Sequence, residues 1–199
     1  GESGGISNPE YLAKVEEFAQ WYRQQPGVMY VGTLTDVIKR LNKNMHGDDE
    51  SYYNLPDQRD LSAQYLLLYE LSLPFGLDLN NQINVDKSAS RMSVTLTDLS
   101  ARDMRTLTQN SETWLHENAP PQMFSHGIGP AIMFAYISER NVKSMVLGTL
   151  IALVLISACL VFALRSVRYG LLSLVPNLIP AMLTFGLWGV FVKEVNLGL

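Results

Sequence analysis

His46 opens the run His46-Gly47-Asp48-Asp49-Glu50, and a histidine beside three carboxylates is the nearest this sequence comes to metal chemistry. The spacing does not serve it. Three consecutive acids cannot alternate as ligands the way a calcium loop requires. The other histidines, His116 and His126, stand far from His46 and from any H-x3-H pattern. A solvated polar turn is the expectation for 46–50. No P-loop or G-x-G-x-x-G occurs. Cys159 is the single cysteine and sits in an apolar run, so no intrachain disulfide forms and a buried, inert thiol is expected. Nothing here points to an enzyme, a metal site or a bound cofactor.

The residues with unusual spacing lie in RSVRYGLLSLVPNLIPAMLTFG, residues 165–186. Pro176 and Pro180 remove two backbone donors one turn apart and are expected to kink a helix. Asn177 lies between them. Gly186 and Gly189, with Ala181, offer small surfaces for close helix contact. The chemistry these residues serve is that of a bilayer, where neighbouring helices satisfy freed carbonyls and an asparagine is costly against lipid.

Charge patterning supports that setting. Eighteen of the 19 acidic and twelve of the 15 basic residues precede Ser144, a net −6 for that section. Such a mildly acidic, mixed surface argues against nucleic acid as a partner. From Ser144 to Leu164 run 21 residues without a charge, and from Gly170 to Val192 another 23. At ~1.5 Å per residue each spans about 30 Å, the thickness of a bilayer core. Two membrane helices are therefore expected, about 130–164 and 170–192, joined by the link 165–169. Arg165 and Arg168 make that link basic, which places it on the cytoplasmic side and residues 1–128 outside the cytoplasm. The chain begins GESGG and stops at VNLGL inside an apolar stretch, and is read as part of a longer protein.

The front section, 1–128, carries the elements of an α+β domain. Ser7-Asn8-Pro9-Glu10 has the S-x-x-E pattern of a capping box. Tyr11, Leu12, Val15, Phe18, Ala19 and Tyr22 follow at helical spacing until Pro26-Gly27. VMYV, 28–31, reads as a strand; Leu34, Val37, Ile38 and Leu41 as a second helix; Leu61–Leu71 as a third, closed by Pro74 and Gly76. Met92, Val94 and Leu96 alternate with polar residues as a half-buried strand. A helix follows to about Glu117, with Met104, Leu107, Ser111, Trp114 and Leu115 on or near one face. QMFSHG is a candidate last strand. Trp21, Tyr22, Tyr65 and Trp114 are expected as core aromatics rather than a ligand platform. With the helices at 34–71 treated as insertions and one missing strand added upstream, the order becomes βαββαβ, a split-βαβ or ferredoxin-like domain.

The stretches GPAIMFAYISERNVKSMVLGTLIALVLI and SLVPNLIPAMLTFGLWG, with LPFGLDLNNQINVDKSASRMSV before them, resemble exporters of the resistance-nodulation-division (RND) superfamily, in the branch of predicted lipid and hydrophobe exporters related to the MMPL family. The resemblance is specific over 129–198 and looser before residue 80. It implies a multi-pass inner-membrane transporter with a periplasmic porter domain, most of the first extracytoplasmic loop followed by membrane helices two and three. It implies export of hydrophobic or amphiphilic cargo, such as lipids, sterol- or hopanoid-like compounds or drugs, driven by proton influx. The family's proton-relay carboxylate lies in a fourth helix, which would follow Leu199. Implied partners are the bilayer, the cargo, further membrane helices and a possible homo-oligomer. A protein-export accessory of the same superfamily and a membrane-anchored ligand sensor are the alternatives.

Overall fold

Pro9 fixes where the first helix begins. In the computed structural model, which describes residues 1–74, 79–172 and 174–191, α1 spans Pro9–Arg23 with proline at its first position. The residue before a proline is driven to extended backbone, and Asn8, at φ −67° and ψ 127°, takes that conformation and becomes the N-cap. Its side-chain oxygen accepts from Glu10 N at 2.9 Å. The capping box expected from Ser7 does not form: Ser7 is buried in the preceding 3-10 turn, Gly5–Ser7. Removing the cap should cost about 1 kcal/mol. Urea unfolding of Asn8→Ala should show that loss, and Asn8→Asp should restore most of it.

After α1 the chain turns at Gly27, whose φ of +80° suits only glycine at low cost. It then enters β1, Val28–Gly32. Thr33 caps α2, Leu34–Met45, in a reciprocal box with Asp36. Asp36 N donates to the Thr33 hydroxyl at 3.3 Å, and Thr33 N donates to the Asp36 carboxylate at 3.2 Å. α3 follows at Arg59–Ser72. β2, Ser93–Leu96, pairs antiparallel with β1, with Val31 opposite Val94 and Gly32 opposite Ser93. The register slips between Val28 and Tyr30. α4 occupies Ala101–Asn118.

The fold is thus α+β, mostly helical, with one two-stranded antiparallel sheet among the described residues. The candidate last strand is not one. Pro121–Met123 form a 3-10 turn and 124–128 are irregular. A proline pair at the start and the absence of any β-branched residue in QMFSHG leave that segment without strand character.

The chain divides into two units: 1–98 with 109–126, and 99–108 with 127–199. The first unit's core joins Ile6, Leu12, Leu34, Ile38, Leu66, Leu79 and Ile83. Leu34, Ile38 and Leu66 come from α2 and α3, so those helices build the core rather than decorate it.

In the second unit α5 runs unbroken over Pro130–Leu164, about 52 Å at the usual rise. Arg165 ends it in the left-handed region, at φ 48°. α6, Val167–Leu172, and α7, Leu174–Phe191, follow. Helix therefore resumes at Val167, earlier than the expected 170, and Arg168 lies within α6 rather than in an irregular link. The end of the expected second span, Val192, lies outside the described residues, as does Gly76.

Candidate functional site

Two regions of the structure can do something other than hold the fold. The first is the apolar surface of α5. Pro130–Ala163 is the one helix among the described residues long and apolar enough, by length and composition, to cross a membrane. None of its most apolar window is buried. Val154 is 68% exposed and Phe162 86%. A soluble protein hides such a helix in its core. Cys159, expected as a buried thiol, is exposed on the same run.

The residues singled out by sequence gather on the helices that follow. Pro176, Pro180 and Gly186 stand exposed on α7, and a Cβ built on Gly186 would meet nothing within 4 Å. Pro180 lies inside the helix. Asn177 and Gly189 fall on the same helix, but their surroundings lie outside the described residues. Arg165 and Arg168 are exposed, one at the α5 C-terminus and one on α6.

The second region is a cleft of ≈ 570 Å³ in the first unit. One stripe of α1 supplies Ala13, Glu16, Glu17, Gln20 and Trp21, and its C-cap supplies Gln24, at the i, i+3, i+4 spacing that puts them on a single face. Leu55 and Trp114, on α4, close it. Phe18 stacks on Trp114 with centroids 4.9 Å apart, and Trp21 lies 6.3 Å from Trp114, tilted by 35°. Tyr22 meets Phe18 edge-on at 5.0 Å. Tyr22 and Tyr65 are buried as expected, but Trp21 and Trp114 are only half-buried and line open space. Burial pushes the Tyr22 hydroxyl's pKa up, against a hydrogen bond with Ser111 that lowers it. A tryptophan on the polar stripe of α1, flanked by Gln20 and Gln24, was the available sequence signal for this cleft.

Behind the cleft stands a balanced quartet of charges. Glu16 accepts from Lys39 Nζ at 2.8 Å, Thr35 Oγ1 at 2.6 Å, Gln20 Nε2 at 2.8 Å and Arg23 Nη1 at 3.3 Å. Arg23 Nη2 reaches both oxygens of Asp36, at 3.0 and 2.9 Å. Burial raises the Glu16 pKa, but the donors from Lys39, Thr35 and Gln20 together outweigh it and hold the group at about 2. A carboxylate so fixed in its charged form serves as a structural anchor and is a poor proton carrier.

The 46–50 turn does not assemble a metal site. His46 Nδ1 donates to the Asn42 carbonyl at 2.8 Å, and the ring stacks on Tyr52 at 3.8 Å. Asp49 caps the next 3-10 turn through Ser51 N at 2.9 Å, and that backbone hydrogen bond lowers its pKa. Among the described residues no three His, Cys, Asp or Glu converge on a common point. No protein-family model, curated protein or solved structure matches this chain.

Proposed function

We propose that this chain is part of an integral inner-membrane transporter of the RND type, in its MMPL-related branch, which exports hydrophobic or amphiphilic molecules on proton influx. The observation that carries the reading is α5, a 35-residue helix whose most apolar window has no buried residue. A bilayer, or further helices within one, supplies the missing cover. Residues 1–128 are then periplasmic, and Arg165 and Arg168 face the cytoplasm.

The porter-like reading of the front section has its own support. β1 and β2 form an antiparallel pair, α1 precedes it and α4 follows it. That is the inner order of a split-βαβ domain, with α2 and α3 inserted between the central strands. Pro180 inside α7, and Gly186 with open space beside it, suit a helix that packs against other membrane helices. The alternative of a ligand sensor draws on the cleft over α1.

Transport separates these readings. Inverted membrane vesicles from cells producing the whole transporter to which this chain is proposed to belong, relay helix included, should take up a fluorescent amphiphile when their lumen is acidified. Uptake should fall to the background of protein-free vesicles when a protonophore collapses the gradient. Equal uptake with and without the gradient would sink proton-driven export, and no uptake above background would favour the sensor.

A further inference from the structure

We propose that the cleft on α1 binds a neutral, hydroxylated ring, a sugar or polyol headgroup, with its C–H face on Trp21 and Trp114. The lining is mixed in the way such a ligand needs. Two indoles offer an apolar wall, and Phe18, stacked at 4.9 Å, braces Trp114 from within the unit. Along the rim, one turn apart, stand Gln20 and Gln24. The Gln20 amide nitrogen is committed to Glu16 at 2.8 Å, which turns its carbonyl oxygen to other donors. The Gln24 side chain has no hydrogen-bond partner among the described residues, and its amide offers both a donor and an acceptor. The cleft, ≈ 570 Å³, is wide open to solvent, which suits a ring lying flat on the two indoles.

Charge decides against the other occupants. Glu16 is answered by Lys39 and Arg23, and Glu17 by Lys14 at 2.5 Å. A cation would have to compete with those partners, and an anion would meet two carboxylates. A neutral polyol disturbs neither. It gains hydrogen bonds to the amides and contact with the rings, whose amphipathic character suits a ligand with one apolar face. The proposal deepens the exporter reading by naming the polar half of the cargo, and it rests on that reading only for where the ring comes from. Every lining residue belongs to the first unit, so binding itself does not require transport.

The test uses the full chain in phosphatidylcholine nanodiscs with Trp188→Phe, so that emission reports Trp21 and Trp114. The probes are the methyl glycosides of glucose, galactose, mannose and N-acetylglucosamine, and the octyl glycosides of the same sugars below micellar concentration. Octyltrimethylammonium and octyl sulfate serve as charged controls of equal tail. At least one sugar should give a saturable emission change, weakened about tenfold or more by Gln24→Ala, an exposed position where the fold tolerates truncation. Saturation by methyl and octyl forms alike identifies a free sugar as sufficient. Saturation by the octyl form alone identifies an amphiphile's headgroup. The proposal is overturned if no glycoside saturates, if a charged control binds as well, or if Gln20→Ala and Gln24→Ala both leave binding unchanged. Binding without vesicle uptake would remove the exporter reading and keep the site; uptake without binding would do the reverse.

Discussion

Glu16→Gln should destabilise the first unit by about 2 kcal/mol at pH 7, and the loss should vanish in acid. Glu16 is a shared acceptor for α1 and α2: Lys39 and Thr35 reach it from α2, Gln20 and Arg23 from its own helix. Lys39 is only 11% exposed in its side chain and has one other carboxylate, Asp36, at 3.5 Å. Losing the Glu16 charge leaves that ammonium under-compensated in a half-buried site. The fall in pKa from 4.5 to about 2 corresponds to about 3 kcal/mol at full conversion, and solvent screening of a partly exposed group brings this nearer 2. The folded-state value is depressed, so the stabilisation is complete above pH 4.5 and is lost as pH falls through 2. Urea unfolding in nanodiscs, followed by near-ultraviolet circular dichroism of the packed Phe18, Trp21 and Trp114 rings, measures both arms. A gap between wild type and variant that is the same at pH 7 and pH 2 would show that Glu16 acts through shape and not charge.

The clamp was not legible in the sequence, and the reason is physical. Glu16 and Lys39 are 23 positions apart on two helices, and only the packing of α1 on α2 brings them together. Local signals fared better. The helical spacing from Tyr11 to Tyr22, the strand at 28–31 and the alternation around Val94 are each written into neighbouring residues, and α1, β1 and β2 lie where those patterns put them. S-x-x-E points to Ser7 as the cap of α1, one residue before the actual cap Asn8, because the motif carries no information on the extended backbone that Pro9 imposes. The box at Thr33 escaped because its partner is Asp36, where the common pattern has Glu or Gln. Treating α2 and α3 as insertions missed that Leu34, Ile38 and Leu66 carry the core, since a one-dimensional reading cannot tell which apolar faces meet. The cleft was hidden for the same reason. Trp114 lies 93 positions from Trp21, and each looks like an ordinary helix-face aromatic until the two are seen 6.3 Å apart beside open space.

Val154→Arg should block membrane integration of α5, with a cost of about 3 kcal/mol at the helix centre. Val154 is the midpoint of the uncharged run from Ser144 to Leu164 and is exposed to whatever surrounds the helix. In lipid a central guanidinium is ten residues from either end of the run, too far for its side chain to reach water without thinning the bilayer. About 3 kcal/mol is more than a hundredfold in an insertion equilibrium, so the fraction resisting alkaline carbonate extraction should collapse, while Val154→Leu should match wild type. The same substitution discriminates between the two kinds of cover an apolar helix can have. If α5 instead packs against a soluble partner, the arginine breaks that complex and leaves carbonate resistance absent in wild type and variant alike. If the Val154→Arg variant integrates as wild type does, that face of the helix looks onto a polar cavity inside the membrane, where an exporter's cargo or protons pass. The position of the tolerated charge would then locate the pathway that the apolar surface alone does not reveal.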